Sequence, residues 1–92
     1  MKTFRVDLEF VANDECGSIE IVDHNERKTR KAALRLMESL SHKNEFPEYI
    51  KERYPEGGRL RVWASCYDDQ ENDIVEQWSW EKGNCVYHTI PS

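Results

Sequence analysis

Residues 23–43 read DHNERKTRKAALRLMESLSHK, the longest helical pattern in the chain, and the surface this stretch packs against sets the architecture. Asp23 followed three residues later by Glu26 has the form of an N-cap with its capping-box partner. The spacing predicts a helix over 24–43. At about 100° per residue, Thr29, Ala32, Ala33, Leu36, Met37 and Leu40 gather on one side and Arg27, Lys31 and Arg35 on the other. The apolar stripe is then expected to cover a sheet while the cations face water. Leu34 falls among the cations as a single exposed apolar residue.

The same stretch carries Arg27, Lys28, Arg30, Lys31 and Arg35, a basic row in an acidic protein. In the predicted helix Arg27, Lys31 and Arg35 stack at i, i+4 and i+8, and each like-charge pair of this kind costs about 0.2–0.5 kcal/mol. Cations near a helix N-terminus also oppose the macrodipole, worth about +0.5 of an elementary charge there. A row so unfavourable in isolation points to an anionic partner. The alternative is a solvated face balanced by nearby acids of the same chain. Four helical residues advance about 6 Å, so the three cations would sit at intervals suited to successive backbone phosphates.

Upstream, Thr3 to Val11 alternates Phe4, Val6, Leu8 and Phe10 with Arg5, Asp7 and Glu9, the pattern of a half-buried strand. Turn residues 12–17 follow, and Ser18 to Val22 offers a short second strand that returns as a hairpin. Downstream, Pro47 to Tyr54 predicts a short helix, begun by Pro47 and stopped by Pro55. Strands are then expected over Arg59 to Tyr67, Asp73 to Glu81 and Cys85 to Ile90, joined as an antiparallel meander. Together these elements predict an α+β fold: an antiparallel four- to five-stranded sheet in the order ββα(α)βββ, with one long helix packed on one face and the other face wet.

The 92 residues fit one domain with one core, spanning 1–92. Net charge is −5, but residues 24–43 hold six Lys/Arg against two Asp/Glu, which leaves seven cations and sixteen acids elsewhere. Asp68, Asp69, Glu71, Asp73 and Glu76 form the densest acidic block. Such bipolarity bears on association and not on fold. Carboxylates of that block are suited to a Lys/Arg-lined groove, with the plain solvated loop as the other reading. Trp63, Tyr67, Trp78, Trp80, Tyr87 and Phe10 lie on predicted strands, and mostly serve the core. Three tryptophans are many for so small a core, so one or two aromatics displayed on the wet face would mark a protein interface or a stacking platform for bases, with Trp63 and Trp78 the candidates for the protein contact.

No charged-then-apolar leader opens the chain and no apolar run nears the roughly 18 residues of a membrane span, so a soluble, intracellular protein without a membrane partner is expected. Cys16, Cys66 and Cys85 are odd in number and lack CxxC spacing, which predicts reduced thiols and neither disulfide framework nor zinc ribbon. His24, His42 and His88 are scattered. Cys85 and His88, three apart on a strand, point to opposite faces and make a poor metal pair. A Cys66–His88 nucleophile pair across strands lacks any supporting motif, and no phosphate loop, HExxH or EF-hand is present. No catalytic residue, metal, cofactor or small-molecule substrate is expected, and therefore no enzyme.

The short acidic single domain, the antiparallel sheet around one long helix, and the juxtaposition of Glu26-Arg-Lys-Thr-Arg-Lys31 with Asp68-Asp-Gln-Glu-Asn-Asp73 resemble the small anti-CRISPR proteins of phages directed against type I-F surveillance complexes. In particular, the chain resembles the type that lies on the backbone subunits and touches the guide RNA. That resemblance implies a non-enzymatic inhibitor that blocks target DNA hybridisation in the cytoplasm of the infected bacterial host. Arg27, Lys28, Arg30, Lys31 and Arg35 would then meet RNA, and Asp68, Asp69, Glu71 and Asp73 the basic subunit surfaces. Two further readings remain open: a small nucleic-acid-binding regulator, which the net charge opposes, and an interaction module of unrelated machinery.

Overall fold

Phe4, Val6, Leu8, Phe10 and Ala12 alternate along the first strand, and all five are buried on one side of it. A strand with every second side chain withdrawn from water needs a cover, and the helix with Ala33 and Met37 wholly buried supplies it. The computed structural model describes residues 2–43, 45–68, 70 and 73–88. Along the chain run β1 (Lys2–Ala12), β2 (Ile19–Arg27), α1 (Arg30–Ser41), α2 (Glu48–Arg53), β3 (Gly58–Asp68), β4 (Asp73–Glu81) and β5 (Asn84–His88). The strands make one antiparallel sheet in the order β2-β1-β3-β4-β5, so the α+β reading holds and the sheet has five strands.

Helix α1 lies over β1 and β3 and reaches β2 and β4. Beneath it Phe4, Val6 and Leu8 stand opposite Cys66, Ala64 and Val62 in register, and Trp78 joins the same cluster. Burying a side chain the size of Leu8 or Phe10 contributes about 1.5–3 kcal/mol. At the end of the sheet α2 closes a second cluster, with Ile50 fully buried beside Phe10 and Ala12. Phe10 meets Phe46 edge-on at 5.1 Å and Tyr54 at 5.2 Å. Val22 and Leu60 pack against both clusters and join them.

The helix begins later than the capping-box pattern predicts. Residues 23–27 extend β2, with Asp23 opposite Leu8 and Arg27 opposite Phe4, and the chain turns into α1 only at Thr29. Thr29 is the N-cap, its Oγ1 accepting the Ala32 N–H at 3.2 Å. The reason is tertiary: β1 presents a full-length edge, and pairing against it satisfies the backbone of residues 23–27 that a free helix turn would otherwise have to satisfy locally. Arg27 and Lys28 are therefore outside the helix, and the three-step helical stack of Arg27, Lys31 and Arg35 does not form.

Starting at Thr29 also changes which side chains face the sheet. Leu34, expected in water, is half-buried against the core. A bulge between Leu8 and Glu9 lets Val22 turn inward, whereas Ile19 and Ile21 stay exposed on the uncovered face. A second irregularity between Cys66 and Tyr67 brings Ile74 opposite Tyr67, so Ile74 and Trp78 do not share a face as their spacing implies. The uncovered face is drier than expected. Ser65 and Ser79 are each 3% exposed, tucked among Trp63, Gln77 and His88. Of the predicted last strand, Thr89 and Ile90 lie outside the described residues.

Candidate anion-binding site

Arg27 closes β2 on the helix-covered side of the sheet, since its register partner Phe4 points there. Two residues later α1 begins, carrying Lys31 in its first turn and Arg35 one turn further on, about 6 Å along the axis. The strand-to-helix corner thus brings Arg27 to the flank of the helix. Arg27, Lys31 and Arg35 line one open depression of about 510 Å³, together with Thr29, Ala32 and Leu36. Among the described residues none of these three cations is ion-paired. Among the described residues Arg27 Nη1 donates to its neighbour's carbonyl, that of Glu26, at 2.8 Å.

The other two members of the basic row go elsewhere. Arg30 reaches back over the sheet, donating from Nη2 to both oxygens of Glu76 at 2.9 and 3.0 Å, with its guanidinium 5.6 Å from the Trp78 ring centroid. Lys28 is exposed in the turn and does not line the depression. Glu76 is thereby tied into an ion pair, and Arg30 leaves the set that was expected to meet RNA. The first turn of α1 contains no acid of its own, so the positive end of the helix dipole adds to the charge of Lys31 and favours an incoming anion. Three cations around an apolar floor can hold phosphate or carboxylate oxygens by charge-assisted hydrogen bonds.

Of the acidic set, Asp68 and Asp73 face each other as a register pair where β3 meets β4. Like charges directly opposite destabilise a strand pair. Asp68 Oδ1 also accepts the Gln70 N–H at 3.0 Å, shaping the turn. Asp69 and Glu71 lie outside the described residues. Of the two candidate tryptophans, Trp78 is a core residue, 6% exposed and packed on Phe4, which leaves it little surface to offer a partner. Trp63 is half-buried on the uncovered face, with Arg61 at 5.1 Å and the His88 ring at 5.2 Å. Tyr87, 53% exposed on edge strand β5, is the more accessible aromatic, and its position at the sheet edge was not apparent from its strand pattern.

Cys66 and His88 do not meet: Cys66 is buried beneath α1, while His88 is on the uncovered face. The contact that sequence reasoning missed is Ser79 Oγ to His88 Nε2 at 2.6 Å. Nothing in the spacing announces it, because the residues are diagonal neighbours on β4 and β5 rather than register partners. A serine bonded to a histidine is the beginning of a nucleophile, but Ser79 is buried and, among the described residues, no carboxylate bonds to the His88 ring. Cys16 and Cys85 are exposed thiols, and partial desolvation pushes the Cys85 thiol pKa up. Among the described residues no group of three His, Cys, Asp or Glu is arranged to hold a metal ion, and no helix is long and apolar enough to cross a membrane.

No family model matches the chain, and neither a curated protein nor a solved structure matches it.

Proposed function

We propose that this protein is a non-enzymatic inhibitor that binds a bacterial type I-F RNA-guided surveillance complex, holding guide-RNA phosphates with Arg27, Lys31 and Arg35 and so obstructing target DNA hybridisation. The observation that carries the RNA contact is the convergence of those three cations on one open depression without an ion pair among the described residues. Their mutual repulsion is relieved when an anion enters. The choice of target rests on the resemblance of the basic and acidic segments to type I-F inhibitors. Asp68 and Asp73, opposed at one end of the sheet, supply a second, negative contact for the basic protein surface that holds the RNA. A net charge of −5 disfavours naked duplex DNA.

The test is a triple charge reversal, Arg27→Glu with Lys31→Glu and Arg35→Glu, assayed against purified surveillance complex over a salt series. Three phosphate contacts to single-stranded RNA predict that the slope of log affinity against log salt falls in magnitude by about 2 in the variant. Far-UV circular dichroism should be unchanged, because none of the three is a core residue. Unaltered binding removes the RNA contact, and tight binding of the wild-type protein to bare duplex favours a nucleic-acid-binding regulator instead.

A further inference from the structure

Strand β3 pairs with β1 along its whole length, from Gly58 opposite Ala12 to Asp68 opposite Lys2, but with β4 only from Trp63 onward. Beyond the Trp63–Ser79 pair, Trp80 and Glu81 pair only with Cys85 and Asn84 of β5. The β4-facing side of residues 59–62 therefore has no neighbouring strand, and in an antiparallel sheet alternate residues direct both N–H and C=O toward such a vacancy.

That vacancy is a cleft of about 330 Å³, lined from β3 by Arg59, Arg61 and Trp63 and from the opposite wall by Ser79, Trp80, Glu81 and Lys82, with Leu60 and Val62 completing it. It holds three cations and one acid in a chain of net charge −5. Arg61 is engaged, its Nε donating to Glu9 at 2.7 Å. Arg59 and Lys82 have no ion pair among the described residues.

Two details mark the cleft as more than a gap. Lys82 and Gly83 both have positive φ, 51° and 79°, in the two-residue turn between the paired Glu81 and Asn84. This turn favours Asn, Asp or Gly at its first central position, and a lysine held in the left-handed region is strained. The position keeps a cation where a neutral residue would be more stable. Trp63, which lines the cleft, has a buried indole N–H without an acceptor among the described residues, so a small shift of the ring on binding would give that N–H a partner.

We propose that this cleft receives an extended acidic segment of a partner protein, which adds a short strand to the free side of residues 59–62 and sets carboxylates against Arg59 and Lys82. Four residues of strand span about 13 Å, so main-chain pairing supplies affinity and the two cations select for acidity. The cleft shares no lining residue with the depression of Arg27, Lys31 and Arg35, and the proposal stands apart from the RNA contact.

The experiment titrates the full chain with a fluorescein-labelled peptide of alternating Glu and Val and with its Lys-for-Glu counterpart, while amide hydrogen exchange is followed by residue. The acidic peptide should bind and protect amides within 59–62, and the basic one should not bind. Lys82→Asn should raise the Tm yet weaken the acidic peptide about fivefold, one ion pair's worth. Arg59→Glu with Lys82→Glu should abolish binding while circular dichroism is retained. The proposal is overturned if the acidic peptide fails to bind at millimolar concentration, if both peptides bind alike, if protection appears elsewhere, or if sedimentation shows the cleft occupied by a second copy of the chain.

Discussion

Arg30 and Glu76 are joined across 46 positions of sequence, one guanidinium nitrogen serving both carboxylate oxygens at 2.9 and 3.0 Å. The pair ties the first turn of α1 to β4 and divides the basic row into one structural cation, three that line the depression, and Lys28 exposed in the turn. Arg30 side-chain exposure of 57% keeps the ion pair modest, and the Trp78 ring adds a cation–π contact. Together they contribute about 1 kcal/mol. Arg30→Ala should lower urea stability by that amount, whereas Lys31→Ala and Arg35→Ala should stay within about 0.5 kcal/mol of wild type.

Gly58 opens β3 where no side chain fits. A Cβ there would meet the Val11 carbonyl oxygen at 2.3 Å and the Phe10 ring at 2.5 Å, and neither backbone nor a fully buried ring can yield cheaply. Gly58→Ala should cost about 1–3 kcal/mol through overpacking. Gly83→Ala meets nothing within 4 Å and is penalised only for its φ of 79°. Thermal denaturation of both variants distinguishes the two causes, with the Phe10 signals in an NMR spectrum moving only in the first.

Met37 is fully buried on the sheet-facing side of α1, and Leu34 on the same helix is half-buried against that core. Met37→Ala should cost about 2–5 kcal/mol. Leu34→Ala should cost about 1–2 kcal/mol, a partial version of the same loss. A Leu34 variant indistinguishable from wild type in chemical denaturation would mean that the helix is rotated toward the phase its cationic spacing first implied.

Asp14 organises the turn between β1 and β2, accepting the Ser18 hydroxyl at 2.6 Å and the Ser18 N–H at 2.8 Å. These bonds hold its pKa below the usual carboxylate value. A depressed folded-state pKa means stability that is present above the unfolded value of about 3.9 and lost as pH falls through the lower folded one. Asp14→Asn and Ser18→Ala should therefore reduce the Tm at pH 7, and for Asp14→Asn the difference from wild type should shrink below pH 4. A constant difference across that range would remove the carboxylate from the explanation.

The alternation of Phe4, Val6, Leu8 and Phe10, and of Leu60, Val62, Ala64 and Cys66, was legible because strand period maps directly onto sheet face, and both rows point into the core. The start of α1 was misread because Asp23 and Glu26 form a plausible local cap, while the competing hydrogen bonds come from β1, fifteen or more positions away. Ile74 and Trp78 stand four residues apart in β4, a spacing that puts two strand side chains on one face, but a bulge sets them on opposite faces. Of the candidate site, the identity of the cations was readable. Their grouping was not, since it depends on a corner between strand and helix that replaces the expected continuous helix.

The residues alone determined which side chains share a face within β1 and within β3, because the strand period is a property of the local backbone. They also determined that positive charge concentrates between positions 27 and 35. Only the folded arrangement decided which of those cations stay unpaired, because an ion pair forms by approach in space: β4 carries Glu76 to Arg30 and brings no acid to Arg27, Lys31 or Arg35 among the described residues.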